Sequence, residues 1–390
     1  MSKYCILIHY HEISIKGGNR TWFERHFEDN VRLHLKSLPF ETITTSSARV
    51  YVFGIDVERW NEYSKILTEV MGLSNATLMH QQKAELETIK IAAQEMILRS
   101  GKEFENFRVS ARRQYKTFPM TSGELNVEVG AYIQPIVNKP VKLKGAGLEI
   151  YIEIVKGMAY VGVDRISGHG GLPVGVSETA VSLLSSGIDS PVSSFEMIKR
   201  GVDLTYVHFH SAPSTSRQSI KNVKKLLKIL ARYQLSCPLH LIPLLEIQQK
   251  IMSESHDKYW VLLFRRAMIR LSCMIAEKID APVLISGESV GQVASQTLSN
   301  IRATADVGDR PILRPLAGMN KEEIITRAKI IGTYEVSIEP YQDCCSFFVP
   351  AHPETKARLN IIQNVEERIQ FGDLFEKAIS AGEFEIISIN

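Results

Sequence analysis

Downstream of Glu178 the apolar residues come in short runs without regular alternation with polar ones: Ala180–Leu184, Asp203–His208, Leu239–Ile242 and Val283–Ile285, with a last piece at Ile312–Leu313. Stretches of helical spacing separate them, at Pro191–Lys199, Arg217–Tyr233, Trp260–Lys278 and Lys321–Ile331. A strand without a polar face must be covered on both sides, and an open parallel sheet with helices on either face does that. The back of the chain, over 172–390, is therefore expected to be an α/β unit, with the residues after 345 helical.

The front has a different rhythm. A short strand (Tyr4–Ile8), a turn at Gly17-Gly18-Asn19, a helix (Thr21–Leu38), a strand (Val50–Phe53) and a second helix (Glu58–Met71) suggest a small ferredoxin-like α+β unit over 1–75. From 76 to 167 the pattern restarts: a helix (Glu85–Ser100) closed by Gly101, a strand (Phe107–Ala111), a helix (Leu125–Val137), and strands Leu148–Val155 and Met158–Val163 joined at Lys156-Gly157, a hairpin signal. Ser167–Gly175, dense in Gly and Pro, reads as a linker and hinge.

Charge and cysteine content narrow the function. Lys and Arg outnumber Asp and Glu by only 46 to 43, so a nucleic-acid surface, if there is one, must be local. Residues 106–144 hold Arg108, Arg112, Arg113, Lys116, Lys139, Lys142 and Lys144 against Glu124 and Glu128. That excess is either a solvated face or a phosphate-contacting patch with Tyr115 and Phe118 interleaved. Five cysteines without a CxxC spacing argue against a disulfide framework and a structural zinc site. No run approaches the ~20 apolar residues of a membrane span, so no membrane partner is expected and the setting should be cytoplasmic and reducing.

The most informative stretch is Ala180-Val-Ser-Leu-Leu-Ser-Ser-Gly-Ile-Asp-Ser-Pro-Val192. A buried strand ends at Leu184, and the small residues Ser185, Ser186 and Gly187 lead through Asp189 into a helix. Ser190 is the expected N-cap, with Pro191 in the first helical position and Gly201 closing the helix. Helix N-termini offer free N–H groups and partial positive charge, and small side chains before them let phosphate approach the backbone. No Walker A motif occurs in the chain. The alternatives are an ordinary βα turn or a pyrophosphate cradle.

This loop resembles the SGGxDS signature of the ATP-pyrophosphatase (PP-loop) superfamily. The likeness extends to Gly171-Leu-Pro-Val-Gly175, Lys199-Arg-Gly201, Val207-His-Phe-His-Ser211, Phe264-Arg-Arg-Ala-Met268, Ser286-Gly-Glu-Ser289, Gly291-Gln-Val-Ala-Ser-Gln-Thr297 and Leu313-Arg-Pro-Leu316. Taken in order these are similar to the tRNA 4-thiouridine synthetase (tRNA sulfurtransferase) family. Glu12-Ile-Ser-Ile-Lys-Gly-Gly-Asn-Arg20 is similar to its opening motif, and residues 76–167 fall where its THUMP domain lies. The resemblance implies a parallel-sheet PP-loop domain preceded by ferredoxin-like and THUMP domains. The implied reaction is ATP-dependent thiolation of uridine 8 of tRNA, by adenylation of O4 and attack of sulfur on C4.

By the same resemblance Leu183, Leu184, His208, Phe209, Arg265, Gly287 and Gln296 match ATP-contacting positions, with Ser185, Ser186, Gly187 and Ser190 forming the phosphate loop. Asp189 matches the aspartate needed for adenylation; we read it as positioning Mg2+. Cys344 and Cys345 are the candidate sulfur carriers, Cys345 being favoured by its spacing to Pro350, while Cys5, Cys237 and Cys273 lie in or beside apolar elements. Arg108, Arg112, Arg113, Lys116, Lys142 and Lys144 are the candidate tRNA contacts.

Longer members carry a rhodanese domain. This chain ends at Asn390 without one, so persulfide is expected directly from a cysteine desulfurase and the thiazole-forming role of those members is not expected. A homodimer is compatible with the family. The loop departs from the family at Ser186, where glycine is usual; a left-handed backbone there would strain a serine. On that residue rests the alternative of a non-catalytic tRNA-binding protein with a degenerate loop. A synthetase transferring ammonia would need a glutaminase partner and leaves the basic front half without a role.

Overall fold

A computed structural model describes residues 3–340, 348 and 352–389. The chain divides into two units, Met1–Pro173 and Val174–Asn390.

The first unit is one mixed sheet with helices. Its elements are β1 (Tyr4–Tyr10), α1 (Arg20–His34), β2 (Thr42–Ser46), β3 (Arg49–Phe53), α2 (Trp60–Leu67), β4 (Leu73–Lys83), α3 (Leu86–Ser100), β5 (Phe107–Arg113), α4 (Ser122–Val137), β6 (Leu148–Val155) and β7 (Met158–Ser167). The strand order is β2-β3-β1-β4-β7-β6-β5. β4 spans residues 75 and 76 and pairs with β1 on one side and β7 on the other, so the ferredoxin-like and following segments share one sheet. β2 and β4 were not expected. Their polar residues (Thr42, Thr44 and Thr45; Asn75, Gln81 and Gln82) break the apolar pattern by which strands are recognised.

The β6–β7 hairpin turns at Lys156 and Gly157, both at positive φ (49° and 78°), as a two-residue turn matched to strand twist requires. Ile89, Met96, Leu125, Val129 and Ile133 on α3 and α4 pack against Phe107, Ile150, Ile152 and Val161 of the sheet. Phe118 belongs to this core at 4% exposure, which corrects its expected place in a surface patch. The Gly/Pro-rich stretch is not loose at its start: Gly168 N–H donates to Ser74 O at 3.0 Å and Gly170 N–H to Leu73 O at 2.9 Å.

The second unit is the expected α/β sheet. It comprises β8 (Thr179–Leu183), α5 (Asp189–Ile198), β9 (Asp203–His210), α6 (Gln218–Gln234), β10 (Ser236–Pro243), α7 (Leu245–Glu254), α8 (Trp260–Lys278), β11 (Leu284–Ile285), α9 (Leu298–Ala305), β12 (Ile312–Leu313), α10 (Lys321–Ile331), α11 (Tyr334–Ser337), α12 (Leu359–Arg368), α13 (Leu374–Ser380) and β13 (Glu383–Ser388). The order β12-β11-β8-β9-β10-β13 is parallel except for β13, which runs antiparallel to β10. β13 corrects the expectation of a wholly helical tail: an edge strand with one exposed face carries Glu383 and Glu385 among Phe384, Ile386 and Ile387, a pattern that does not read as a buried strand.

The chain leaves β8 for β9 on one side and returns to β11 on the other. That reversal opens a crevice beyond the carboxyl ends of β8, β9 and β11. α8 covers the sheet with Leu262, Leu263, Phe264, Ala267, Leu271 and Ile275. Among the described residues no helix is long and apolar enough to cross a membrane.

Candidate active site

The loop between β8 and α5 is held in shape by its own serines. Ser185 N–H donates to Ser190 Oγ at 2.9 Å, the Ser190 hydroxyl lies 3.1 Å from Ser185 O, and Gly187 N–H donates to Ser185 Oγ at 3.3 Å. From outside, the Ser337 hydroxyl donates to Gly187 O at 3.3 Å and the Ser193 hydroxyl to Ser286 O at 3.0 Å, the latter tying α5 to the end of β11. The helix opens at Asp189, one residue before the expected cap, with Ile188 in the cap position and no capping side chain. Ser190 is turned back into the loop. The first-turn N–H groups of α5 therefore have no side-chain cap competing for them.

Gly287 closes the other wall. A Cβ there would lie 2.7 Å from both N and Cα of Ser190 and 3.0 Å from the carbonyl carbon of Asp189. Only a residue without a side chain lets the end of β11 approach the start of α5 this closely.

These elements enclose a cavity of about 270 Å³. Leu183, Leu184, Ser185, Gly187, Asp189, Ser190, His208, Phe209, Arg265, Gly287 and Gln296 all line it, so every sequence-predicted nucleotide contact but one converges there. Ser186 is the exception: it is buried, does not line the cavity, and its Oγ has no partner among the described residues. Neither Ser186 nor Gly187 takes a left-handed conformation, so the backbone imposes no strain on a serine at 186.

The lining is divided by chemistry. Leu183, Val207, Phe209, Met268, Ile269 and Ile312 give an apolar part; Ser185, Asp189, Ser190, Arg265, Glu288 and Gln296 give a polar one. Arg265 Nε and Gln296 Oε1 are buried without partners among the described residues. A ligand with a planar apolar end and a polyanionic tail suits this division.

His208 is fully buried, its Nδ1 2.8 Å from Leu184 O and its Nε2 3.4 Å from Ser219 Oγ. Burial is the main cause that lowers its pKa from 6.5 to about 4, so the ring is neutral and Nδ1–H donates to Leu184 O. Between those two values the unfolded chain takes up a proton that the folded protein refuses. Stability contributed by neutral His208 is thus full above pH 6.5 and falls as pH drops toward 4, by up to about 3 kcal/mol. Urea unfolding at stepped pH should show this loss against a His208→Gln variant; parallel curves for the two proteins would refute it.

Sequence reasoning missed the partners of Asp189. Its Oδ1 is 2.7 Å from Lys321 Nζ and its Oδ2 accepts from Gln292 Nε2 at 2.7 Å. Lys321 is the first residue of α10, where a cation opposes the helix dipole; that mismatch was the available signal. Among the described residues no group of three or more His, Cys, Asp or Glu could hold a metal ion. The adjacent arginines on α8 diverge: Arg265 faces the cavity, while Arg266 is buried against Glu366 at 2.6 Å.

Cys344 and Cys345 fall outside the described residues. Cys5 and Cys237 are fully buried, burial pushing the first thiol well up and the second to about 12, which suits packing and not sulfur transfer. In the first unit β5 is an edge strand. Arg112, Lys116, Lys142 and Lys144 are exposed beside it. Arg108 instead pairs with Glu149 at 2.6 Å, and Arg113 donates to Phe118 O at 2.9 Å and Met120 O at 3.0 Å.

Family models match the chain in three parts: the ThiI ferredoxin-like domain over residues 5–77, the THUMP domain over 83–164, and the thiamine biosynthesis protein (ThiI) model over 175–371. A relative from Thermus thermophilus, named probable tRNA sulfurtransferase, is 38% identical over 374 residues, covering 96% of this chain and 91% of its own. The chain belongs to the ThiI family of tRNA sulfurtransferases. Among solved structures, a 4-thiouridine synthetase–RNA complex with bound ATP superposes with a TM-score of 0.89 at 31% identity, covering 99% of this chain and 100% of that one. A protein from Pyrococcus horikoshii Ot3 superposes with a TM-score of 0.63 at 25% identity, over 84% of this chain and 99% of that one.

Proposed function

We propose that this protein is an ATP-dependent tRNA uridine 4-sulfurtransferase whose adenylation site is the cavity between the β8–α5 loop and Gly287. The observation that carries the reading is the convergence of the family's ATP-contacting positions on one cavity that is apolar at one part and polar at the other. The adenine would occupy the part lined by Val207, Phe209, Met268, Ile269 and Ile312, and the phosphates the part beside Ser185, Ser190 and Arg265.

A carbonyl oxygen is a poor leaving group. Uridine O4 therefore attacks the α-phosphorus with loss of the N3 proton, pyrophosphate departs, and sulfur attacking C4 then displaces AMP. Backbone N–H groups at the start of α5 and the cation of Lys321 would stabilise charge on the departing pyrophosphate. Asp189, whose oxygens meet Lys321 and Gln292, is the carboxylate that would hold Mg2+, and the ion would supply further charge neutralisation there.

Persulfide from a cysteine desulfurase would be carried by Cys344 or Cys345, its S–S bond being cut by a further thiol. We assign the ferredoxin-like and THUMP segments (1–75 and 76–167) to tRNA binding and 172–390 to chemistry, in a cytoplasmic enzyme for which a homodimer is compatible. The relaxed backbone at Ser186 removes the ground for a degenerate loop.

Incubation with ATP, Mg2+, tRNA and sulfide should yield the near-ultraviolet absorbance of 4-thiouridine. With a desulfurase and cysteine in place of sulfide, only the serine variant of the carrier cysteine should lose product; product with neither cysteine present would remove them from the reaction. On the RNA side, Arg112, Lys116, Lys142 and Lys144 are the exposed members of the candidate tRNA contacts. Neutralising Arg112 and Lys116 together should weaken tRNA binding and lower the log–log salt slope by about 2. Substituting Arg113 should instead act mainly on stability, since its guanidinium holds two carbonyls. An unchanged salt slope in the double variant would count against the patch.

A further inference from the structure

The cavity wall contains a carboxylate that neither the family resemblance nor the loop chemistry explains. Glu288 follows β11, is 4% exposed and lines the cavity. Its Oε1 accepts from Arg265 Nη2 and its Oε2 from Arg314 Nε at 2.5 Å. Arg314 follows β12, the parallel neighbour of β11, and its Nη1 donates to Ile312 O at 3.1 Å. Arg265 comes from α8 and donates from Nη1 to Ser295 Oγ at 3.2 Å. Three separate elements thus meet at one buried carboxylate. Burial by itself would raise the pKa of Glu288, but the two guanidiniums outweigh it and hold the group below the usual carboxylate range.

The charge count is the informative part. Two cations share one anion, and two guanidinium nitrogens, Arg265 Nε and Arg314 Nη2, remain buried without an acceptor among the described residues. A site built for stability alone would pair its charges, because an unpaired buried charge is expensive. With Arg314 behind the wall answering the carboxylate, the positive charge of Arg265 at the cavity is left for an anionic ligand.

Resting on the nucleotide reading above, we propose that Glu288 is a positioning residue: braced by Arg314, it fixes the guanidinium of Arg265 in the orientation that receives the polyphosphate of ATP. An arginine left free on the helix would have to be ordered at each binding event; gripped by a carboxylate that is itself anchored, it is already in place.

The test separates positioning from mere wall-building by using two ligands that differ only in phosphate. Equilibrium binding of ATP and of adenosine is measured for the whole protein and for Glu288→Gln, Arg265→Gln and the double variant, each checked by thermal melting. Glu288→Gln should weaken ATP about tenfold, with KM for ATP rising while kcat changes less. Adenosine affinity should stay within about twofold. The double variant should be no weaker for ATP than Arg265→Gln alone, since the carboxylate acts through that arginine.

Equal losses for ATP and adenosine, unchanged ATP affinity, or losses that simply add in the double variant would each overturn the proposal. Should Glu288→Gln fail to fold, Arg314→Gln is read in the same way: a loss of a few-fold for ATP alone supports the assignment, and an equal loss for both ligands or none overturns it. If the unaltered protein bound adenosine but not ATP, the nucleotide reading itself would fall. Normal ATP binding and pyrophosphate release in Glu288→Gln would sink the positioning role alone.

Discussion

Replacing Gly287 with alanine should weaken nucleotide binding by about two orders of magnitude while leaving the rest of the fold intact. The added Cβ would sit 2.7 Å from Ser190 N and Cα, and backbone cannot turn aside as a flexible side chain could. Either the end of β11 or the start of α5 must move. Overpacking of this kind costs about 1–3 kcal/mol. Because the displaced backbone is the loop closed by the Ser185–Ser190 hydrogen bonds, most of that should appear as lost affinity, a factor of about a hundred in ATP binding. Titration with ATP and a thermal melt on one preparation would check it. Native ATP affinity in Gly287→Ala would mean that the close approach has no part in holding nucleotide.

The second large effect is expected at Asp189. Its carboxylate holds Lys321 and Gln292, both at 2.7 Å, in the polar part of the cavity. Asp189→Ala should cut tRNA-dependent pyrophosphate release by about a thousandfold without raising KM for ATP, since Lys321 is freed to meet the phosphates directly. Asp189→Asn keeps a group able to bond Gln292 but loses the ion pair, and should be nearly as inactive. Unchanged release in either variant would take Asp189 out of the mechanism.

Much of the α/β unit was legible because a strand buried on both faces leaves a mostly apolar run without alternation, as at Ala180–Leu184 and Asp203–His208. The residues of the candidate cavity were legible only through the family resemblance; the fold supplies the reason they meet, since in a parallel sheet the carboxyl ends of strands fall together in space and bring Leu184, His208 and Gly287 to one crevice.

What stayed hidden depended on tertiary context. β4 was missed because its polar positions break the pattern, although the same strand joins both halves of the front sheet. Glu288 was visible as part of a motif, yet nothing in its neighbours announces two arginines arriving from 23 and 26 residues away. Ser190 has the composition of an N-cap, but the loop uses its hydroxyl to bind Ser185 instead. Phe118 sits among cations in sequence and in the core in space.

On the mechanism proposed above, uridine of tRNA is adenylated in the second unit before sulfur is involved. The most direct check is pyrophosphate release with ATP and Mg2+ in the absence of any sulfur source, comparing unmodified tRNA with a tRNA carrying cytidine at position 8. Release that needs tRNA and is lost with the cytidine-8 variant is the predicted result. No release, or equal release with both tRNAs, would contradict it.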